Sequence, residues 1–118
     1  MDTKDDRVLI VEDNPLIAEA IERAGEGLHL RTDRASDGWD AIEKLESVRY
    51  SAIIIDADLP LHSGYGVPTY LRQENGEQLQ NVILMTADTA SLLGKLGEEK
   101  LRVIGKEDAV SEISRLLG

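Results

Sequence analysis

The 118-residue sequence contains no cysteine and no phenylalanine, and only one tryptophan and three tyrosines. Without cysteine, disulfide frameworks, cysteine-based zinc sites and thiol chemistry are excluded. The scarcity of aromatic side chains removes the platforms on which proteins stack nucleic-acid bases, and it leaves Ile, Leu, Val and Ala to build the core. No apolar run is long enough for a membrane-spanning helix or a signal-peptide core, so we expect a cytoplasmic protein with no membrane partner.

Basic residues are also in deficit, with 13 Lys and Arg against 23 Asp and Glu, for a formal net charge of −10. Binding to a phosphate backbone needs clustered Lys and Arg, so the charge opposes direct contact with nucleic acid. We expect a chain of this length to form one domain, residues 1–118, without a separate effector domain.

Short apolar runs indicate strands buried on both faces of a parallel sheet. These runs are residues 8–11, 52–55, 82–85 and 101–104. Alternation of Leu28, Leu30 and Thr32 with polar residues predicts a fifth, shorter strand nearer an edge. Five helices alternate with the strands, which predicts an α/β fold with a doubly wound, five-stranded parallel sheet in the flavodoxin-like order 2-1-3-4-5.

The helix predictions rest on capping residues and apolar spacing. Asn14-Pro15 starts the first helix, which places Leu16 among its inward-facing residues. We expect partial burial of Trp39 at the start of the second helix and an inward-facing Val110 in the last. The third and last helices are predicted over 67–74 and 107–117, and the fourth is the weakest prediction because Gly94 and Gly97 lie in it.

Polar residues follow four of the apolar runs, and these are Glu12-Asp13, Asp56, Thr86 and Lys106. The carboxyl ends of parallel strands meet at one edge of a sheet, so these side chains converge on one crevice. Crowded carboxylates repel one another and recruit either protons or a cation. An oxygen-rich pocket suits Mg²⁺, held by Asp13, Asp56 and a backbone carbonyl.

Each of these residues also has a purely structural interpretation. Glu12 and Asp13 could cap the following helix, Thr86 could be a strand-end hydroxyl, and Lys106 could pair with solvent or nearby acids. Asp56 is harder to explain structurally, because an acid that ends a run of three isoleucines has little structural purpose. The two histidines, His29 and His62, lack a metal-ligand partner at useful spacing and are interpreted as surface residues.

The ordered set of motifs resembles the receiver domain of bacterial two-component response regulators, the CheY-like family. The motifs that carry the resemblance are Val8 to Asn14, Ala35-Ser36-Asp37-Gly38, Asp56-Ala57-Asp58-Leu59-Pro60 with Gly64, Thr86-Ala87, and Lys106. The resemblance runs nearly from end to end. It implies a signalling protein that accepts a phosphoryl group on Asp56 and acts by altered binding to a downstream protein.

The resemblance also implies a role for each site residue. Asp58 would offer its backbone carbonyl to Mg²⁺, and Glu12 would act on the metal through water. The backbone N–H groups of Ala57 and Ala87, the Thr86 hydroxyl and the Lys106 ammonium would contact the phosphoryl oxygens. The implied donor is a sensor histidine kinase, a phosphotransfer protein or a small acyl phosphate. Only self-phosphorylation and autodephosphorylation are implied, not turnover of an external substrate.

Three departures from the family concern the output of the signal, and one of them is the shortened fourth helix that contains Gly94 and Gly97. The residue three before Lys106 is usually Tyr or Phe but is Val103 here, and the residue after Lys106 is usually Pro but is Glu107. They leave open a pseudo-receiver, an interaction scaffold that phosphate does not switch. An aspartate-nucleophile phosphatase is a remote alternative suggested by Asp56-Ala57-Asp58, but Leu59-Pro60 does not fit that class and we expect a chain of this length to have no room for a substrate cap.

Overall fold

The computed structural model describes residues 7–59, 63–96 and 101–117. Five parallel strands form one sheet in the order β2-β1-β3-β4-β5, which confirms the predicted topology. The strands are β1 (Arg7–Val11), β2 (Arg31–Ala35), β3 (Ala52–Asp56), β4 (Val82–Thr86) and β5 (Arg102–Gly105). β1, β3 and β4 are buried on both faces, as their continuous apolar runs require.

Helices cover both faces of the sheet. They are α1 (Pro15–Gly27), α2 (Gly38–Ser47), α3 (Ser63–Glu74), α4 (Gly76–Leu79), α5 (Thr89–Leu96) and α6 (Ala109–Leu117), with a 3₁₀ helix at Lys106–Asp108. Alternate residues of each central strand point to opposite layers: Ile53 and Ile55 pack with the Val67 and Leu71 side, whereas Ile54 packs with the α1 and α6 side. None of the described helices is both long and apolar enough to cross a bilayer.

The count of five helices was wrong for the described residues, because α4 is an additional helix of four residues. Its buried Gln78 accepts a hydrogen bond from the Tyr50 N–H at 2.9 Å and donates one to the Tyr50 carbonyl at 3.0 Å. α4 therefore satisfies the backbone of the residue that leads into β3, where an unpaired buried amide would be costly. So short a helix leaves no periodic pattern in the sequence.

The predicted second strand was displaced, because Leu28 and Leu30 belong to the turn that ends α1. The Leu30 N–H donates to Gly25 O at 2.9 Å and the His29 N–H donates to Glu26 O at 3.0 Å. This pair of hydrogen bonds is a Schellman motif, which satisfies the last carbonyls of the helix. β2 therefore starts only at Arg31, and a β-carbon on the buried Gly25 would lie 3.1 Å from Thr32 of that strand.

Three apolar side chains are far more exposed than predicted: Leu16 is 77% exposed, Trp39 75% and Val110 44%. Each is the second residue of its helix. In a doubly wound sheet the helices start near the carboxyl edge of the strands, so a first turn projects beyond the sheet that would cover it. The predicted inward orientation of Leu16 and Val110 and the predicted partial burial of Trp39 were therefore wrong.

The backbone of His29, in the turn that ends α1, is strained. Its φ of 62° lies in the left-handed region that favours glycine. We expect His29→Gly to stabilise the protein by about 1 kcal/mol, since the strain of a β-carbon in this conformation is removed. Urea unfolding measures the change. His29→Ala is the matched control, because it removes the imidazole and keeps the β-carbon. Equal stabilisation by both variants would show that the imidazole, and not the backbone, causes the strain.

Candidate functional site

The residues predicted from the sequence to form a site lie together at the carboxyl edge of the sheet. Asp56 is the last residue of β3 and Thr86 the last residue of β4, while Glu12-Asp13 follow β1 and Lys106 follows β5. The parallel register places Val11 beside Ile55, Asp56 beside Met85, and Thr86 beside Gly105. Residues that are 94 positions apart in the sequence therefore line one crevice.

Asp56 lies at the centre of the crevice and is almost completely buried, at 2% exposure. The Lys106 Nζ lies 2.9 Å from Asp56 Oδ2, and the Asp58 N–H donates to Asp56 Oδ1 at 2.9 Å. Burial lowers the pKa of Lys106, but the hydrogen bond and the charge of Asp56 outweigh it and raise that pKa above its ordinary value. The ammonium therefore stays charged and oriented toward the carboxylate.

Glu12, Asp13 and Asp56 form a carboxylate cluster, in which one oxygen from each residue lies within 4.8 Å of the others. Asp13 is exposed, whereas Glu12 is 4% exposed. Glu12 Oε2 accepts the Asn14 N–H at 3.1 Å, and Glu12 Oε1 is buried without a hydrogen-bond partner in the described part of the chain. A buried oxygen that needs a partner, next to two further carboxylates, fits the preferences of Mg²⁺.

The capping interpretation of the acidic pair applies only in part. Asn14 is the N-cap of α1, since its side chain accepts the Leu16 N–H at 2.9 Å. Glu12 supports this cap by accepting the Asn14 N–H, but Asp13 is not the cap. The cluster therefore retains an exposed carboxylate that helix capping does not require.

Glu12 should make the stability of the metal-free protein depend on pH. Burial, and secondarily the nearby Asp56, raise its pKa from 4.5 to about 7. The folded state then binds more protons than the unfolded state between these values, so the contribution of Glu12 to stability is fully present below pH 4.5 and is lost as the pH rises through 7. We expect Glu12 to contribute about 3 kcal/mol to this fall.

Urea unfolding in chelator between pH 5 and 8 measures this effect. Glu12→Gln removes the titrating group and keeps the shape of the side chain, so its unfolding free energy should vary much less over this range. An unchanged slope in Glu12→Gln would assign the pH dependence to another group.

The Asp58 side chain contacts the predicted site, although the sequence predicted a role only for its backbone. Thr86 Oγ1 donates to Asp58 Oδ1 at 2.9 Å, and the Ala87 N–H donates to Asp58 Oδ2 at 2.8 Å. Lys106 Nζ lies 3.7 Å from the same Oδ2. Burial opposes the effect of these donors, but they hold the pKa of Asp58 below its ordinary value. The signal in the sequence is an acid two residues after Asp56, for which only the backbone carbonyl was assigned a role.

The backbone N–H groups of Ala57, Asp58 and Ala87 donate to three different kinds of acceptor. The Ala57 N–H donates to Met85 O at 2.8 Å as part of the pairing of β3 with β4, so its predicted contact with a phosphoryl group is not compatible with this arrangement. The Asp58 N–H faces the Asp56 carboxylate instead. The Ala87 N–H already holds an anion, the carboxylate of Asp58.

An open cleft of about 300 Å³ lies beside these groups, between the β4–α5 and β5–α6 connections. Thr86, Ala87, Lys106 and Glu107 are among its lining residues. Val103, at the position where the resemblance implies an aromatic residue, is partly buried against the core of the sheet. The exposed His29 lies at the C-terminus of α1, while His62 falls outside the described residues.

Comparison with protein families identifies one model, the response regulator receiver domain, which matches residues 8–103. A curated relative is the DNA-binding response regulator MtrA of Mycolicibacterium smegmatis, 30% identical over 99 residues. That alignment covers 84% of this chain and 42% of the relative, so the chain spans less than half of the length of MtrA. The sensor kinase/phosphatase LuxQ of Vibrio harveyi is 34% identical over 84 residues, which are 71% of this chain and 10% of LuxQ.

Solved structures show the same fold. The receiver domain of the sensor histidine kinase PA1611 from Pseudomonas aeruginosa PAO1, with a magnesium ion coordinated in its active-site cleft, is 31% identical with a TM-score of 0.80. The match covers 94% of this chain and 93% of that one. A CheY-like receiver domain from Methylobacillus flagellatus is 26% identical with a TM-score of 0.77, covering 94% of both chains.

Proposed function

Because the chain belongs to the response regulator receiver domains of two-component systems, we propose that Asp56 is its phosphoacceptor in a cytoplasmic signalling pathway. The observation that carries the proposal is the buried Asp56 carboxylate, 2.9 Å from the Lys106 ammonium and next to the acidic pair. The donor is a phosphohistidine of a sensor histidine kinase or phosphotransfer protein, or a small acyl phosphate. The receiver comprises residues 1–118 as a single domain.

In the proposed reaction, an Asp56 carboxylate oxygen attacks the phosphorus of the donor. A phosphorus–oxygen bond forms, and the bond from phosphorus to the donor nitrogen, or to the acyl oxygen, breaks with its electron pair going to the leaving group. In this proposal Lys106, the Thr86 hydroxyl and the N–H groups of Asp58 and Ala87 stabilise the phosphoryl oxygens. Their contacts with the carboxylates of Asp56 and Asp58 support these roles. Catalysis here consists of positioning and of charge stabilisation.

The proposed metal is Mg²⁺, held by Asp13, Asp56 and the backbone carbonyl of Asp58, with Glu12 acting through water. The fit is supported by the close carboxylate oxygens and by the buried, unpartnered Glu12 Oε1. When bound, the ion neutralises charge on the carboxylates and on the transferring phosphoryl group. Deprotonation of Glu12 would then accompany binding, because the metal competes with the proton.

The proposed output is altered binding to a downstream protein, without direct contact to nucleic acid or membrane. The net charge of −10 opposes binding to a phosphate backbone. Val103 is too small to move as an aromatic ring would, so we expect the chain between Ala87 and Gly105 to transmit the signal through its backbone.

A pseudo-receiver scaffold is the second candidate function. Val103 favours it, as does the Asp58 carboxylate on the Thr86 and Ala87 donors. Intact-mass measurement after treatment with a small acyl phosphate, with and without Mg²⁺, separates the two candidates. A gain of one phosphoryl mass only with Mg²⁺ supports the phosphoacceptor, and an unchanged mass in both conditions supports the scaffold.

A further inference from the structure

We infer that the Asp58 side chain is an internal anion that occupies the phosphoryl-oxygen site until a phosphoryl group displaces it. The inference rests on the proposed function, because it concerns the same donors. It assigns Asp58 a regulatory role distinct from its backbone carbonyl: the carboxylate limits entry of the phosphoryl group and presets the position of Thr86.

The hydrogen bonds of Asp58 carry the inference. Its two oxygens are divided between two donors, with Oδ1 on the Thr86 hydroxyl at 2.9 Å and Oδ2 on the Ala87 N–H at 2.8 Å. Thr86 is the last residue of β4 and Ala87 follows it, whereas Asp58 follows β3. The Asp58 carboxylate, which follows β3, therefore binds two donors at the C-terminal end of β4, as a bound anion with two oxygens would.

Charge adds to the argument, because the carboxylate is placed where a second anion would have to bind. Lys106 lies 2.9 Å from Asp56 and 3.7 Å from Asp58, so it serves both. An incoming phosphoryl group brings a charge of about −1.5 to −2, and it would be repelled by Asp58 at the donors they share. The two anions therefore exclude each other at this position.

The Asp58 side chain is also free to leave. It is 40% exposed, so rotation about its side-chain bonds takes the carboxylate into solvent without displacing the core. Lys106 keeps its closer contact with Asp56 after such a movement. Asp58 is therefore held at the site by hydrogen bonds and charge and not by packing.

Occupation by Asp58 changes what phosphorylation does to Thr86. The Thr86 hydroxyl donates to Asp58 and also accepts the Asp88 N–H at 3.1 Å, so its direction is fixed before any phosphoryl group arrives. Phosphorylation then exchanges one anion for another on the same hydroxyl. The released Asp58 carboxylate becomes the group whose position differs between the two states.

The test compares Asp58→Asn with Glu107→Gln. Glu107 lines the same cleft beside Lys106, so its replacement also removes one negative charge, whereas the Thr86 and Ala87 donors keep their partner Asp58. With Mg²⁺ and a small acyl phosphate, Asp58→Asn should be labelled about tenfold faster than wild type, because one close repulsion is lost from a partly screened site. Glu107→Gln should be labelled at a rate close to that of wild type.

A second measurement does not depend on covalent labelling. Titration with inorganic phosphate, followed through the Ala87 amide resonance, should show about tenfold tighter binding in Asp58→Asn than in wild type. If no variant is labelled but Asp58→Asn alone binds phosphate more tightly, the phosphoacceptor function fails and the internal-anion inference stands. If Asp58→Asn matches Glu107→Gln in both measurements, the inference is overturned.

Discussion

Asp56→Asn is expected to abolish the Mg²⁺-dependent gain of one phosphoryl mass that an acyl phosphate produces in the wild-type protein. The amide has nearly the same shape as the carboxylate, but it lacks the anionic oxygen that attacks phosphorus. Asp56 is buried at the end of β3, so the variant tests the chemistry at one atom and not a change in surface charge. We expect the labelling rate to fall by at least about a hundredfold, to the limit of detection.

Asp37→Asn is the matched control for this experiment. Asp37 caps α2 by accepting the Asp40 N–H at 2.9 Å, and asparagine caps a helix equally well. The same chemical substitution at this position should leave labelling unchanged. Labelling of Asp56→Asn at the wild-type rate would assign the phosphoacceptor to another residue, and peptide mass mapping would identify it.

The sheet topology could be predicted because its evidence is local. Ile53, Ile54 and Ile55 alternate between the two layers of the core, so the strand needs apolar residues on both faces. A continuous run of this kind, bounded by polar residues, predicts the strand and also its central place in the sheet. The crossover rule then constrains the strand order.

The errors in the fold arose where position along an element, and not residue type, decides burial. Leu16 and Trp39 are apolar and lie in helices, but each is in a first turn that projects beyond the strands. Leu28 and Leu30 alternate as a strand would, but the Schellman motif uses their backbone to end α1. The spacing of apolar residues predicts neither the exposure of a helix's first turn nor the hydrogen bonds that end a helix.

The candidate site was predictable at the level of residues and not at the level of contacts. Asp56, Thr86 and Lys106 lie at one edge of the sheet because each ends or follows a parallel strand, and this placement does not depend on their side-chain contacts. Whether a given N–H is used within the sheet, as at Ala57, or is open to an anion, as at Ala87, depends on strand pairing in three dimensions. The same is true of the Asp58 side chain, whose partners are 28 and 29 residues away.

Asp13→Asn should have opposite effects on the metal-free and the metal-bound protein. Asp13 contributes one of three carboxylate oxygens that lie within 4.8 Å of one another, so its negative charge is unfavourable without a cation. Because Asp13 is exposed, solvent screens most of this repulsion, and we expect Asp13→Asn to raise the free energy of unfolding in chelator by about 1 kcal/mol. Mg²⁺ affinity should fall by at least about tenfold, since a ligand oxygen loses its charge.

The size of this stabilisation should depend on pH, because the pKa of Glu12 is raised to about 7. At pH 6 Glu12 is mostly protonated and repels Asp13 little, whereas at pH 8 Glu12 is mostly ionised and adds its negative charge to the cluster. The stabilisation by Asp13→Asn in chelator should therefore be larger at pH 8 than at pH 6, as measured by urea unfolding. A loss of stability in chelator at both pH values, together with unchanged Mg²⁺ affinity by calorimetry, would make Asp13 a structural residue and not a metal ligand.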